Sequence, residues 1–362
     1  MTYNLIRSSL FAHPDVSGSE RYAHDLIVRE LQKLKPDALY DHVGGYGVVA
    51  FWNATGSSLS SPTLAFRADT DALPIGHRCG HDGHTAILLD FAQTVSQTQS
   101  RPYGTLLIFQ PEEETGKGAK KIIASGLLEQ HNTGAVFGLH NIPGYRLATP
   151  ILIRNTFAAA SCGIHYKLIG RATHASTPEK GLNPGLAVAE IIEGFQRLNR
   201  KGDNNTFRQS TLICCRLGEE AFGTSAGEGD IMFTLRAFTN NSMNELMAEA
   251  DSVAVAAAGR YRLELQKQLC EPFAATENNP ALVDQLDTLF RRFTPIPPLQ
   301  LTTPFRWSED FAEYLKLYPG VFFGVGSGEE QPELHNPSYV FPDSLVKPAS
   351  LLFETIMKNI KI

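Results

Sequence analysis

The stretch TLAFRADTDALPIGHRCGHDGH, residues 63–84, reads as a buried strand that ends in acids and opens into a turn crowded with metal-type donors. Thr63 to Arg67 is a short, largely apolar run of strand length. Asp69 and Asp71 follow at i, i+2, so both carboxylates leave an extended segment on the same side. Residues 77–84 then hold three histidines, a cysteine and an aspartate, in a chain with 11 His and 5 Cys. Thiolate, imidazole and carboxylate gathered just past a strand end form a transition-metal composition. The plainer reading of the same residues is a polar turn with a structural cysteine and solvated histidines.

Three further segments favour the metal. Thr105 to Phe109 (TLLIF) is followed by Gln110-Pro111-Glu112-Glu113-Glu114. Ala135 to Leu139 (AVFGL) is followed at once by His140, and Val321 to Val325 (VFFGV) precedes Leu334-His335-Asn336-Pro337. Each run has strand length and is bounded by Gly or Pro. In an open α/β sheet, ligands bind beyond the carboxyl ends of strands. Four such ends carrying metal-type side chains point to one shared site.

Around these strands, helices are expected at 18–36, capped by Ser17 or Ser19 with Glu20 at capping-box spacing, at 84–97 and at 117–128. The first ~150 residues therefore alternate strand and helix, the α/β pattern. From residue 162 the order changes to strand 164–169, helix 184–198, strands 210–217 and 230–238, helix 243–259 and strand 260–268. This β-α-β-β-α-β order is ferredoxin-like. A chain of 362 residues exceeds one ordinary core. We expect a discontinuous catalytic domain at 1–161 and 271–362, interrupted by a second domain at 162–270.

Composition narrows the class of partner. Hydrophobic content of 43% and charged content of 19% are globular values. A net charge of −6 without a basic stripe argues against nucleic acid. There is no apolar run long enough for a membrane span and no signal-peptide h-region. An odd number of irregularly spaced cysteines suggests reduced thiols and a cytoplasmic setting. Cys214 and Cys215 read as packing residues of a strand.

The motifs FRADTDALPI (66–75), HRCGHDGHTA (77–86), FQPEEETGKGA (109–119), VFGLHNIPG (136–144), GRATHASTP (170–178), SEDF (308–311) and LHNPSYVFPD (334–343) resemble one family in order and over nearly the whole chain. It is the metallo-amidohydrolase family of hippurate hydrolases, bacterial N-acyl-amino-acid amidohydrolases and plant auxin-conjugate hydrolases, within the aminoacylase/carboxypeptidase superfamily. The resemblance implies an α/β fold: a zinc-peptidase-like three-layer catalytic domain with an inserted α+β ferredoxin-like lid, the lid commonly mediating homodimers.

Carried over by position, the resemblance places metal ligands at Cys79, His81, Glu114, His140 and His335. Five ligands exceed what one catalytic ion takes, so two divalent ions (Mn, Zn, Ni or Co) are expected, with the thiolate able to bridge them. Asp71 is assigned to orienting a ligand, as ligating histidines require. Asp69 is left between a site role and a pairing with Arg67 or a turn cap. The three consecutive glutamates leave their register open on residues alone; the resemblance makes Glu113 the general base and Glu112 a solvated spare. His174 matches the histidine that steadies the developing oxyanion. His84 is expected to begin the next helix and pack or hydrogen-bond there; His77 matches no family ligand, and His13 reads as structural.

One departure stands out. Where the family reads G-G-x-x-x-N-x-I-P before an arginine, this chain has GEEAFGTSAGEGDIMFTLR, so Gly223 replaces the Asn while Arg236 is kept. Arg236 has guanidinium geometry suited to a substrate carboxylate, against the plainer reading of a surface ion pair. The expected activity is metal-dependent hydrolysis of an N-acyl amino acid or similar small amide. Two alternatives remain: a dipeptidase or carboxypeptidase with the same centre, and a non-catalytic binder on the same scaffold.

Overall fold

In the computed structural model, residues 3–55, 61–200 and 206–362 are described. The chain separates into two compact units, Met1–Phe157 with Thr276–Thr302 and Asp310–Ile362, and Ala158–Ala275 with Thr303–Glu309.

The first unit is built on a mixed sheet of eight strands among the described residues. Their order is Ala38–Val43, Gly47–Trp52, Gly104–Gln110, Thr63–Asp69, Thr133–Pro143, Gly320–Gly328, Pro150–Ile153 and Leu299–Leu301. Thr63–Asp69 pairs in parallel with Gly104–Gln110 on one side and Thr133–Pro143 on the other. Every residue of Thr63–Asp69 and of Gly104–Gln110 is buried, so both sheet faces are covered. Alternation sorts the side chains. Leu64, Phe66, Leu107, Phe109, Phe137 and Phe323 join one core with the helices Tyr3–Ala12, Arg21–Leu34, His81–Gln97, Pro280–Phe293 and Val346–Asn359. On the opposite face, Phe322 meets Phe311, which precedes the short helix Ala312–Leu315.

The second unit carries a four-stranded antiparallel sheet in the order Glu264–Phe273, Ala160–Ile169, Glu228–Ala237, Arg208–Leu217. Alternating Ile164, Tyr166 and Leu168, with Ile231, Phe233 and Leu235, pack against helices Gly185–Leu198 and Asn240–Arg260. Thr239 caps the longer helix by accepting from the Ser242 N–H. Strand, helix, two strands, helix, strand in this order give the ferredoxin-like arrangement.

Local expectations and structure differ in several places. The strand expected at 260–268 runs instead over Glu264–Phe273, because the helix Asn240–Arg260 takes up its first residue and a turn follows. The helix expected at 18–36 begins at Arg21 without a side-chain cap; the Ser17 hydroxyl instead donates to Asp71 Oδ2 at 2.6 Å. The helix expected at 84–97 begins three residues earlier, at His81. The helix expected at 117–128 is two pieces, Gly118–Ala124 and Leu127–Gln130, because Gly126 takes φ +75° and turns the chain between them. The strand expected to end before His140 continues to Pro143, since Gly320–Gly328 runs beside it and pairs Gly324 with His140 and Val325 with Asn141.

Candidate metal centre

The donors gather in the first unit, beyond the end of Thr63–Asp69. After Asp71 the chain turns through His77 and Cys79 to Gly80 at φ +101°, which begins the helix His81–Gln97. A Cβ at Gly80 would lie 2.4 Å from Asn141 Oδ1, so only glycine lets the turn come this close to the neighbouring strand. Glu112, also left-handed at φ +55°, swings the chain out of Gly104–Gln110 and separates the following two glutamates from the strand. His335, at φ +66°, is held by its N–H donating to the Arg78 carbonyl at 2.9 Å.

Candidate ligand atoms of Cys79, His81 and His140 lie within 4.8 Å of one another, as do those of Cys79, Glu114 and His335, and those of His81, Glu113 and Glu114. Cys79 is common to the first two sets. Its Sγ is 3.6 Å from His140 Nε2, and Glu114 Oε1 is 3.9 Å from both His81 Nε2 and His335 Nε2. Hydrogen bonds set the tautomers. His81 Nδ1–H donates to the Asp71 carbonyl at 3.0 Å, and His140 Nδ1–H to the Asn141 carbonyl at 2.9 Å. Both rings therefore turn their Nε2 edge inward. His81 Nε2 and Glu114 Oε1 are buried with no hydrogen-bond partner among the described residues, which is costly unless a cation takes them. Orphaned nitrogen and oxygen donors around a central thiol fit divalent transition ions.

The charges tell the same story. Burial pushes the Cys79 thiol well above its usual value, so without a cation it keeps its proton. Burial, with Asp71 and Asp69 adding to it, pushes Glu114 up to about 7. His81 is raised well above its usual value: burial opposes its charge, but the Asp69 carboxylate and the contact with Asp71 favour it, so without a cation this ring holds the proton that an ion would displace. Burial likewise acts to raise Asp69, and His81, His84 and Arg67 overcome it, leaving this carboxylate strongly depressed.

The other acids are committed to support. Asp71 Oδ2 accepts from Ser17 Oγ and, at 3.0 Å, from the Glu114 N–H, while Oδ1 lies 3.5 Å from His81 Nδ1. Asp71 thus holds the histidine by its carbonyl and the glutamate backbone by its carboxylate. Asp69 pairs with Arg67 Nη1 at 2.5 Å and with His84 Nδ1 at 2.6 Å, so it serves both a pairing and the support of the centre. His84 reaches Asn141 Oδ1 at 2.5 Å. His77 is buried beside the cluster, and His13 bonds the Ser9 carbonyl and stacks on Tyr22.

Glu113 is buried, and its Oε1 accepts from the Asp310 N–H at 3.3 Å. Asp310 is itself anchored: Arg67 Nη2 and Gln110 Nε2 both donate to it, at 2.7 and 2.8 Å, and so does the Ala119 N–H at 2.9 Å. Glu112 is not the solvated spare expected from the sequence. It is buried, ion-paired to Lys121, and its N–H donates to Glu20 Oε1 at 2.9 Å. The left-handed turn folds this residue back over the helix start rather than out to solvent.

Sequence reasoning passed over Asn141, Tyr339, Ser17, Gln110 and Asp310 as supports. Asn141 donates to the Cys79 carbonyl at 3.1 Å and to the Tyr339 hydroxyl at 2.6 Å. Its position directly after His140 was the available signal; Gln110, Asp310 and Tyr339 lay within the quoted motifs, which do not show their partners, and Ser17 read as a helix cap.

His174, Gly223 and Arg236 belong to the second unit. His174 is exposed and accepts at Nδ1 from the Ser176 N–H at 3.1 Å, which leaves its proton on Nε2. The Gly223 carbonyl accepts from the Ala175 N–H at 3.0 Å, tying the two segments together. A Cβ at Gly223 would meet nothing within 4 Å, and its neighbours Ala221, Thr224 and Ser225 line a cleft of about 480 Å³. Arg236 Nη1 donates to the Arg306 carbonyl at 2.7 Å, and burial lowers the guanidinium's pKa.

Comparison with known proteins agrees with this picture. A sequence model of Peptidase family M20/M25/M40 matches residues 65–358. The chain is 26% identical over 378 residues to an uncharacterized hydrolase of Staphylococcus aureus, covering 98% of this chain and 97% of the relative. It is 30% identical over 374 residues to an IAA-amino acid hydrolase of Arabidopsis thaliana, covering 96% and 81%. In fold it is similar to a dinuclear metal binding peptidase of Bacillus subtilis, with TM-score 0.85, 22% identity and coverage of 99% and 98%.

Proposed function

The chain belongs to peptidase family M20/M25/M40 and is a hydrolase, and from that premise we propose that it cleaves the amide bond of N-acyl amino acids with the help of two divalent metal ions. The observation that carries this reading is the inward pairing of donors: the Nε2 edges of His81 and His140, with Glu114, around the buried thiol of Cys79. In this reading Cys79, His81, Glu114, His140 and His335 hold the ions. When bound, such ions polarise the amide carbonyl and make water nucleophilic at neutral pH.

The remaining work belongs to side chains. Glu113, held by the Asp310 N–H, takes the proton from water and returns it to the departing nitrogen. Asp71 keeps His81 and the Glu114 backbone in register. By its place in the family motif, His174 is assigned to the developing oxyanion, and its Nε2–H is the donor that role needs. Arg236 is assigned to the substrate carboxylate, and Gly223 to the roomier pocket that an Asn side chain would fill.

The test is a metal-stripped preparation reloaded separately with Mn²⁺, Zn²⁺, Ni²⁺ or Co²⁺ and assayed on acetyl, benzoyl and longer acyl amino acids beside free dipeptides. We expect amino-acid release from an acylated substrate, abolished by chelation. Cleavage of free dipeptides alone would replace the proposed substrate class with a dipeptidase's. No turnover of either class in a fully loaded protein would reject the proposal.

A further inference from the structure

A second group of donors sits in the first unit, where helix Arg21–Leu34 packs beside strand Ala38–Val43. His24 is in the first turn of that helix; Asp41 and His42 are near the end of the strand. One donor atom from each lies within 4.8 Å of the others. His24 is only 5% exposed, whereas Asp41 and His42 are exposed. The rings of His24 and His42 stack with centroids 4.2 Å apart, and Tyr46 lies 6.0 Å from both.

His24 has the features of a ligand in waiting. Its Nδ1 is 3.1 Å from Asp25 Oδ1, so that nitrogen carries the proton toward the carboxylate. Its Nε2 is buried and has no hydrogen-bond partner among the described residues. A carboxylate behind an imidazole, with the other nitrogen's lone pair directed forward, is the arrangement that supports metal-binding histidines. A buried lone pair with no donor is otherwise unfavourable.

We propose that His24, Asp41 and His42 form a separate site for one borderline divalent cation such as Zn²⁺. Two imidazoles and a carboxylate suit zinc-like ions, whereas Mg²⁺ and Ca²⁺ call for oxygen-only shells. His24 supplies the fixed ligand. His42, being exposed, turns its ring edge to the ion at little cost, and solvent completes the coordination. The bound ion would tie the helix to the strand.

Equilibrium dialysis of the full chain against a zinc series tests this by difference. Asp41→Asn and His42→Asn remove one ligand each on the exposed side, and Asn tolerates the left-handed backbone of residue 42, φ +52°. Wild type should retain one more zinc per chain than either variant, while hydrolysis rates stay equal. Asp25→Asn keeps every ligand and should weaken the extra site about ten- to a hundredfold. Equal zinc content in wild type, Asp41→Asn and His42→Asn would overturn the proposal and leave the two rings as a packing pair. Loss of zinc with a matching loss of hydrolysis would also overturn it, since the ion would then belong to the centre around Cys79. The difference in zinc is read whether or not the proposed substrate is correct.

Discussion

At the scale of single residues, the centre depends on positions where only one side chain works. Gly80 combines a left-handed backbone with a Cβ position 2.4 Å from Asn141 Oδ1. Asn141 cannot simply step aside, because it also bonds the Cys79 carbonyl, Tyr339 and His84. Gly80→Ala should therefore cost about 1–3 kcal/mol of stability and weaken metal retention, read by thermal denaturation and metal content. An unchanged melting temperature with full metal would contradict the close approach. Glu113 is the complementary case, proposed for chemistry rather than stability. Glu113→Gln keeps the side-chain size and still offers an oxygen to the Asp310 N–H, but it cannot accept a proton. We expect turnover to fall at least ~100-fold with metal content unchanged. Near-normal turnover in a loaded variant would exclude Glu113 as the base.

Among elements, the hairpin Ala38–Val43 and Gly47–Trp52 meets the segment that follows helix Leu127–Gln130 through His131. This ring packs on Phe51 with centroids 4.0 Å apart, and its Nε2 is 3.0 Å from the Tyr40 hydroxyl. Burial lowers the His131 pKa below its ordinary 6.5. The unfolded chain then binds the proton more readily than the folded one. The contribution is complete above pH 6.5 and is lost as pH falls from 6.5 through the depressed folded value. His131→Phe keeps the ring contact and removes the titration, so its stability should fall less steeply than wild type below that pH. Parallel melting curves across pH 7 to 5 would show that His131 does not contribute.

For the molecule as a whole, the metal-type donors belong to one unit and Arg236 to the other. In the proposed function the ion-holding side chains and Glu113 then come from one unit, and Arg236 comes, with His174, from the other. A charge-assisted contact to a substrate carboxylate is worth roughly 1.5–3 kcal/mol, or about ten- to a hundredfold in affinity. Arg236→Ala should raise KM for an N-acyl amino acid by that factor and leave its carboxamide analogue much less affected. Equal effects on the two substrates would show that Arg236 does not read the carboxylate. Because Arg236 also holds the Arg306 carbonyl, melting curves must accompany the kinetics.

The sequence by itself determined the strands that carry the centre, the order of the second unit and the chemistry available to them. The all-buried strands could be read from apolar runs, the second unit from its alternating strands and helix spacing, and the donor types from the residues after strand ends. These are local signals, carried within a few residues of one another. Only the tertiary structure decided the pairings between distant segments: Ser17 with Asp71, Arg67 and Gln110 with Asp310, and Asn141 between Cys79, His84 and Tyr339. It also decided that His140 lies inside a strand, because the neighbouring strand Gly320–Gly328 runs past it, and that Glu112 is buried, because a left-handed turn folds it onto Lys121. A residue's type and the spacing around it fix what it can donate or accept; which partner it meets depends on strand order and close backbone approach, set by contacts across the whole sheet.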